Sequence, residues 1–203
     1  MARKKPTRHL ANPSTAASGE LRIIGGEWRS RKLRFPAVGG VRPTPARTRE
    51  TLFNWLTPYL PGSHCLDLFA GSGALGLEAL SRGAETALLV DHNTNLTRAL
   101  QANLGALKCT RGKVLTAPAE HLLGAPASQA FDIIFMDPPF RQGLLDRLLP
   151  FVDTHRWLAP GGWIYIEYES GLAMPLTPAH WHLHRQKTAG QVTYCLYRNA
   201  LPA

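Results

Sequence analysis

Cys65-Leu66-Asp67-Leu68-Phe69-Ala70-Gly71-Ser72-Gly73-Ala74-Leu75-Gly76 decides how the rest of the chain is read. The apolar run Cys65 to Phe69 has the length of a buried strand. Gly71 to Gly76 has the form G-x-G-x-x-G, and the stretch after it reads as a helix ending at Gly83. Glycines let the backbone approach a ligand closely, and the helix N-terminus favours a negative group. The same alternation recurs downstream. Thr86 to Asp91 predicts a strand, and Leu96, Leu100, Leu104 and Leu107 mark one side of a helix. Lys113 to Thr116 and Phe131 to Asp137 predict two more strands, and Leu144, Leu145, Leu148, Leu149 and Val152 a second helical stripe. Trp157 to Gly162 reads as a turn leading into a strand from Trp163 to Tyr168, and His180 to Lys187 with Gln191 to Arg198 as an antiparallel hairpin. Such alternation builds a mostly parallel sheet with helices on both faces and ligands at the carboxyl ends of the strands.

Upstream of His64 the chain has another character. Residues 1–19 are rich in Pro, Ser, Thr, Ala and basic residues and are expected to form a disordered basic tail. Residues 21–35 predict a β-hairpin turning near Gly25 to Ser30, and Val38 to Pro43 a loop. Thr44 and Pro45 predict an N-cap followed by proline at the first helical position, opening a helix through Leu52, Phe53 and Leu56 that stops before Pro58. The organisation expected is therefore a tail over 1–19, a small basic unit over 20–60 and an α/β domain over 61–203.

Charge divides the chain in the same place. Of the 23 Lys/Arg and 14 Asp/Glu in 203 residues, 12 and 3 lie in residues 1–50, a net of +9, leaving 11 of each in the remainder. Arg22, Arg29, Arg31, Lys32 and Arg34 are interleaved with apolar residues and Trp28, and Arg47 and Arg49 follow close by. An ordered basic surface implies a polyanion, nucleic acid before membrane, since no basic amphipathic helix accompanies it. No apolar run has the length of a membrane span, and the basic N-terminus lacks the apolar stretch of a signal peptide, so a cytoplasmic protein is expected. Cys65, Cys109 and Cys195 lie far apart without C-x-x-C spacing, which speaks against a zinc site or a disulfide framework.

The second informative stretch is Asp137-Pro138-Pro139-Phe140, directly after the apolar run Ile133 to Met136. Two prolines fix the turn and remove two N–H donors, so local carbonyls are left free to accept hydrogen bonds from a ligand. A carboxylate, free carbonyls and an aromatic face suit a planar amine held by its N–H groups while its ring lies flat. The glycine loop with Asp91 ending the next strand fits a nicotinamide dinucleotide equally well when taken alone. Asp67, four residues before Gly71, is poorly placed for a pyrophosphate but suits a ligand ammonium group, and Asp-Pro-Pro-Phe has no task in hydride transfer. A ligand with an amino acid at one end and adenosine at the other, S-adenosylmethionine, fits both acids. Asp137 and the carbonyl of Pro138 would then hold the amine that is methylated, Phe140 would stack, and the base would leave its helix to reach them. His180, His182 and His184 alternate along one strand and read as a solvated face, with no metal expected. Glu167 and Glu169 alternate likewise at the end of a strand and read as solvated, with one of them lining the site as the alternative. Cys65 and Cys195 lack the basic, exposed setting of a nucleophile.

At these residues the sequence resembles a known family. Leu21 to Leu33, Arg42-Pro43-Thr44, Arg47 to Leu56, Asp67 to Arg82, Asp137 to Phe140 and Ala189 to Val192 are similar to the bacterial small-subunit ribosomal RNA guanine-N2 methyltransferases of the RsmD type, over roughly residues 21–198. The resemblance implies a Rossmann-like class I methyltransferase: a seven-stranded, mostly parallel sheet with a C-terminal antiparallel hairpin, plus the small N-terminal β-hairpin. It implies S-adenosylmethionine as cofactor, a guanine amine of 16S ribosomal RNA or of the small ribosomal subunit as target, and a monomer. Carried over, Asp137 and Pro138 hold the amine and Phe140 stacks. Asp67, Gly71 and Gly73 take the methionine end, Asp91 the ribose, Phe69, Ala70 and His92 also bind the cofactor, and Arg42 and Thr44 flank its entrance. Arg22, Trp28, Arg29, Arg31, Lys32, Arg34, Arg47, Arg49 and Arg141 grip RNA. The chain departs from the family at Ala46, where Asp is usual, and in Thr116 to Glu120, where an Asp or Asn often holds the adenine amine. Asp-Pro-Pro-Phe is shared with DNA adenine-N6 methyltransferases. Protein glutamine methylation and a non-catalytic RNA-binding scaffold are the other classes that share parts of this pattern.

Overall fold

The computed structural model describes residues 18–38 and 43–201; the expected tail before residue 18, Arg42 and most of the predicted loop lie outside them. Two strands, β1 (Ser18–Arg22) and β2 (Lys32–Pro36), pair antiparallel as a hairpin. Strand β1 therefore takes in Ser18 and Gly19, which composition assigns to the tail. Backbone pairing of Ser18 with Pro36 and Gly19 with Phe35 outweighs local composition there.

The remaining seven strands form one sheet: β3 (His64–Asp67), β4 (Thr86–Asp91), β5 (Gly112–Thr116), β6 (Phe131–Met136), β7 (Leu158–Glu169), β8 (Trp181–Ala189) and β9 (Val192–Asn199). Their order is β5-β4-β3-β6-β7-β9-β8; the first five are parallel, and β9 runs antiparallel to both β7 and β8. The two-residue period of strands sends alternate side chains to opposite faces. Ile133 and Phe135 enter one core with Leu77, Leu89 and Leu100, whereas Ile134 and Met136 enter the other with Leu148, Leu149 and Val152. The first face is covered by the hairpin and by helices α1 (Ala46–Leu56), α2 (Gly76–Ser81) and α3 (Thr94–Ala106). The second face is covered by α4 (Ala119–Leu123) and α5 (Leu144–Thr154).

Three local readings change. Strand β7 begins at Leu158 and runs through Pro160-Gly161-Gly162, because the partner register jumps from Phe131 opposite Leu158 to Ile133 opposite Trp163. The expected turn is a bulge inside one strand, which accommodates the extra residues. Helix α4 was not expected; five residues show no periodicity to read, although Pro118 precedes it and Glu120 stands in its first turn. Thr44 does not cap α1. Pro45 takes the N-cap position without a side-chain bond, and the Thr44 hydroxyl is used elsewhere.

The hairpin is locked to the sheet layer rather than tethered to it. Glu78 of α2, wholly buried, accepts the backbone N–H groups of Ile24 at 2.9 Å and Gly25 at 2.8 Å. Ser81 accepts from the Trp28 N–H at 2.9 Å and donates to the Gly25 carbonyl at 2.6 Å. Gly26 lies at φ +77°, and a Cβ there would collide with the Ser81 carbonyl, so the turn demands glycine. Asn103 of α3 donates to the Arg34 carbonyl at 3.0 Å. No helix among the described residues is long and apolar enough to cross a membrane.

Candidate active site

Three neighbouring parallel strands, β4, β3 and β6, end at the same edge of the sheet, and each delivers a carboxylate there. Asp67 ends β3 and Asp91 ends β4; Asp137 follows the last residue of β6. Between β3 and α2 the chain makes the glycine loop. Gly71 and Gly73 both take positive φ, and a Cβ on Gly73 would press on Leu77 and Leu100 at 2.5 and 2.7 Å. Phe69 and Gly71 present surface at the rim, while Ala70 and Gly73 lie beneath it.

The acids differ in what they hold. Asp91 accepts the Gly71 N–H at 2.9 Å on one oxygen and the Asn93 N–H at 2.8 Å on the other, which leaves a lone pair on each. His92 is exposed, its Nδ1 3.7 Å from Asp91. Asp67 is 2% exposed and accepts the Gly76 N–H at 2.9 Å, bracing the loop from below. Burial raises its carboxyl to about 7, Gly76 opposes that, and the charges of Asp137 and Asp91 add to it. Asp137 is half-buried and accepts the Thr44 hydroxyl at 3.3 Å. Burial pushes its carboxyl above the ordinary range, against the Thr44 bond. Pro138 is buried and Phe140 is 39% exposed at the tip of the turn.

The structure overturns the solvated reading for Glu167. It is 4% exposed, not solvated, and accepts the Tyr165 hydroxyl at 2.6 Å. Met136 pairs with Ile166, so Asp137 and Glu167 follow one another's strands side by side at the sheet edge. Burial first, and then the Asp137 charge, push the Glu167 carboxyl up. Glu169, two residues on, is half-buried and accepts the Arg141 N–H at 2.7 Å. The signal available in the sequence was the shared edge: Glu167 lies near the end of the strand beside the one that Asp137 follows.

The basic residues separate into two groups. Arg22, Arg29, Arg31, Lys32, Arg34, Arg47 and Arg141 are exposed. Lys32 pairs with Glu20 at 3.0 Å across the hairpin. Trp28 and Arg49 cannot serve as nucleic-acid contacts in this structure. Trp28 is 5% exposed within the core, with the Arg111 guanidinium 5.8 Å above its ring. Arg49 is 4% exposed and spends its guanidinium on Glu78 at 3.2 Å, the Thr44 carbonyl at 3.1 Å and the Arg22 carbonyl at 3.0 Å. A buried charge must be paired, and Glu78 is the partner. Arg42 lies outside the described residues. Glu120 pairs with Arg147 at 3.3 Å. His180 meets Asp153 at 2.8 Å and His184 lies edge-on to Trp163, so these two histidines have separate partners.

The chain is similar to known proteins in sequence and in fold. The sequence model of the family described as conserved hypothetical protein 95 matches residues 21–198. The chain is 47% identical over 189 residues to ribosomal RNA small subunit methyltransferase D of Escherichia coli strain K12, covering 93% of this chain and 95% of that one. It is 43% identical over 186 residues to the protein of the same name from Haemophilus influenzae, covering 90% and 96%. The solved structure of yhhF from Escherichia coli superposes with a TM-score of 0.85 at 44% identity, over 91% of this chain and 100% of that one. Sequence, strand order and the three acids at one sheet edge lead to the same place: the chain belongs to the conserved hypothetical protein 95 family, that of the RsmD-type small-subunit ribosomal RNA methyltransferases.

Proposed function

We propose that this protein methylates the exocyclic N2 amine of a guanine in 16S ribosomal RNA, within the small ribosomal subunit, using S-adenosylmethionine. The observation that carries the reading is the convergence of the glycine loop, Asp91 and Asp137 at the ends of three adjacent parallel strands. The loop fits the cofactor: positive-φ glycines leave its backbone bare, and Asp91 retains lone pairs for a ribose diol. When bound, S-adenosylmethionine supplies a methyl group activated on a sulfonium sulfur. Family membership sets aside the DNA adenine and protein glutamine readings.

The residues of the chain do the rest. An aromatic exocyclic amine is a weak nucleophile because its lone pair is delocalised into the ring. Asp137 accepts one N–H of the amine and the Pro138 carbonyl the other, which localises the lone pair on nitrogen and offsets the positive charge that grows as the N–C bond forms. The surplus proton passes to Asp137, whose burial raises its affinity for it. Thr44 holds that carboxylate in place. Phe140 offers the base a face to stack on once it has left its helix. The exposed cations of the hairpin, with Arg47 and Arg141, supply phosphate contacts that are salt-dependent and indifferent to sequence. The protein acts as a monomer in the cytoplasm, where its substrate is assembled. Mass mapping of 16S ribosomal RNA from cells with and without this protein tests the reading. One guanine should lose a single methyl group in its absence, and an unchanged methylation map defeats the assignment.

A further inference from the structure

A cavity of about 440 Å³ opens between the start of α1 and the tip of the β8–β9 hairpin, with Glu167, the cross-strand neighbour of Asp137, in its wall. Its lining includes Pro45, Arg47, Thr48, Glu167, Lys187 and Tyr194. The volume lies in the range of small-ligand pockets and suits one nucleoside. The polar groups are graded in depth. Arg47 and Lys187 are exposed at the mouth, whereas Glu167 is 4% exposed within, beside the aromatic wall of Tyr194. Cations outside and a buried carboxylate inside match a nucleotide entering base first, with its phosphates left at the mouth.

The methyl-transfer chemistry makes no use of Glu167, yet burying a carboxylate is costly unless something repays it. Among the described residues its one hydrogen-bonding neighbour is the Tyr165 hydroxyl. Strand register places it next to Asp137, on the side away from the glycine loop. Guanine is the base whose Watson–Crick edge carries two adjacent donor groups, the N2 amine and the N1–H. We propose that this cavity receives the unstacked guanine and that Glu167 accepts its N1–H while Asp137 and Pro138 hold the N2 amine. Glu167 is then a specificity residue: it rejects a base that has a 2-amine but a bare N1. The proposal rests on the methylation reading and deepens it to the recognition of one base edge.

The test uses 2-aminopurine, which keeps the amine and lacks the N1–H. Small subunits are reassembled on 16S ribosomal RNA carrying guanine or 2-aminopurine at the nucleotide that the wild-type protein methylates. Wild type should prefer guanine by about 100-fold or more, the scale on which unmatched polar groups are rejected. Glu167→Gln, whose amide can donate to a bare N1, should reduce that preference at least about 100-fold, chiefly by losing guanine turnover. It should also raise 2-aminopurine fluorescence, the sign of an unstacked base, at lower protein concentration than wild type. Its affinity for S-adenosylmethionine should stay within about twofold of wild type, which also shows that the variant is folded. As a second variant, Val192→Trp fills the cavity and should abolish both methylation and the fluorescence rise while cofactor affinity persists. A Glu167→Gln protein with the wild-type base preference, or a Val192→Trp protein that methylates normally, overturns the proposal. Wild type inactive on guanine subunits would instead defeat the methylation reading, and this inference with it.

Discussion

Glu78→Ala should be among the most damaging single substitutions in this chain. The Glu78 carboxylate is wholly buried and accepts four hydrogen bonds: from Ile24 and Gly25 backbone N–H groups, from Arg49 at 3.2 Å and from Arg82 at 2.7 Å. Truncation leaves Arg49, 4% exposed, as an uncompensated buried charge, which costs about 3–5 kcal/mol. Each backbone N–H that loses its acceptor adds about 1–3 kcal/mol if it stays dry. Arg82 is partly exposed, so solvent absorbs most of its loss. Water entering the gap also makes these terms less than additive, and about 4–6 kcal/mol is the expected total. For a chain of this size 1 kcal/mol moves Tm by about 2–4 °C, so thermal unfolding should fall by roughly 10–20 °C. Calorimetry or circular dichroism on purified wild type and variant reads this directly. A drop under about 4 °C would refute the account of the buried cluster. A second variant separates charge from packing. Combining Glu78→Leu with Arg49→Met removes both charges and should lose less stability than Glu78→Ala alone, because no charge is stranded.

Asp137→Ala should reduce methyl transfer about 100-fold, roughly 3 kcal/mol of transition-state stabilisation, with cofactor affinity nearly unchanged; retention of half the wild-type turnover would remove Asp137 from the amine. Asp91→Ala should weaken S-adenosylmethionine binding about tenfold or more, since hydrogen bonds to a charged group are worth about 1.5–3 kcal/mol. Titration calorimetry measures this, and an unchanged Kd moves the ribose contact elsewhere. Charge reversal at Arg29, Arg31, Lys32 and Arg34 together should weaken RNA binding and flatten its salt dependence by just under one logarithmic unit per lost phosphate contact on a duplex; equal binding by wild type and variant at low and physiological salt would exonerate the hairpin. The last concerns pH. Burial raises the Asp67, Asp137 and Glu167 carboxyls, so the folded chain holds protons that the unfolded chain releases above the ordinary carboxylate range. Their contribution to stability is greatest in acid and is lost as pH rises through neutrality toward about 8. Glu167→Gln should therefore gain Tm relative to wild type more at pH 8.5 than at pH 5.5, and parallel Tm curves would contradict this.

The layered sheet was legible because each strand announces itself locally. Thr86–Asp91 is bounded as the apolar pattern predicts, and Leu96, Leu100 and Leu104 lie buried on one side of α3. The site was legible for a related reason. Parallel strands end at one edge, so acids that end neighbouring strands must meet there whatever the loops do. What could not be read were pairings set by tertiary approach. Arg49 sits in a basic block, and its spacing suggests a phosphate contact; its partner Glu78 is 29 residues later, on a helix whose local pattern does not mark it as buried. Trp28, flanked by arginines, reads as an interface aromatic, but the Ser81 bonds to the hairpin turn draw it into the core.

Glu167 and Glu169 show the same limit within one strand. They share a face by period, yet Glu167 lies deep beside Tyr165 while Glu169 stands at the rim, capping the Arg141 N–H. Depth along the strand decides the difference, and it depends on how far α1 and the β8–β9 hairpin reach over the sheet edge, which no alternation encodes. The consequence for function is specific. Three carboxylates, Asp67, Asp137 and Glu167, are held in poorly hydrated positions that each cost stability. Asp67 accepts the Gly76 N–H of the glycine loop, and Asp137 has Thr44 and, in the proposed reaction, an incoming amine. For Glu167 the described residues provide only a tyrosine hydroxyl, and the proposed guanine N1–H is the donor that would offset its burial.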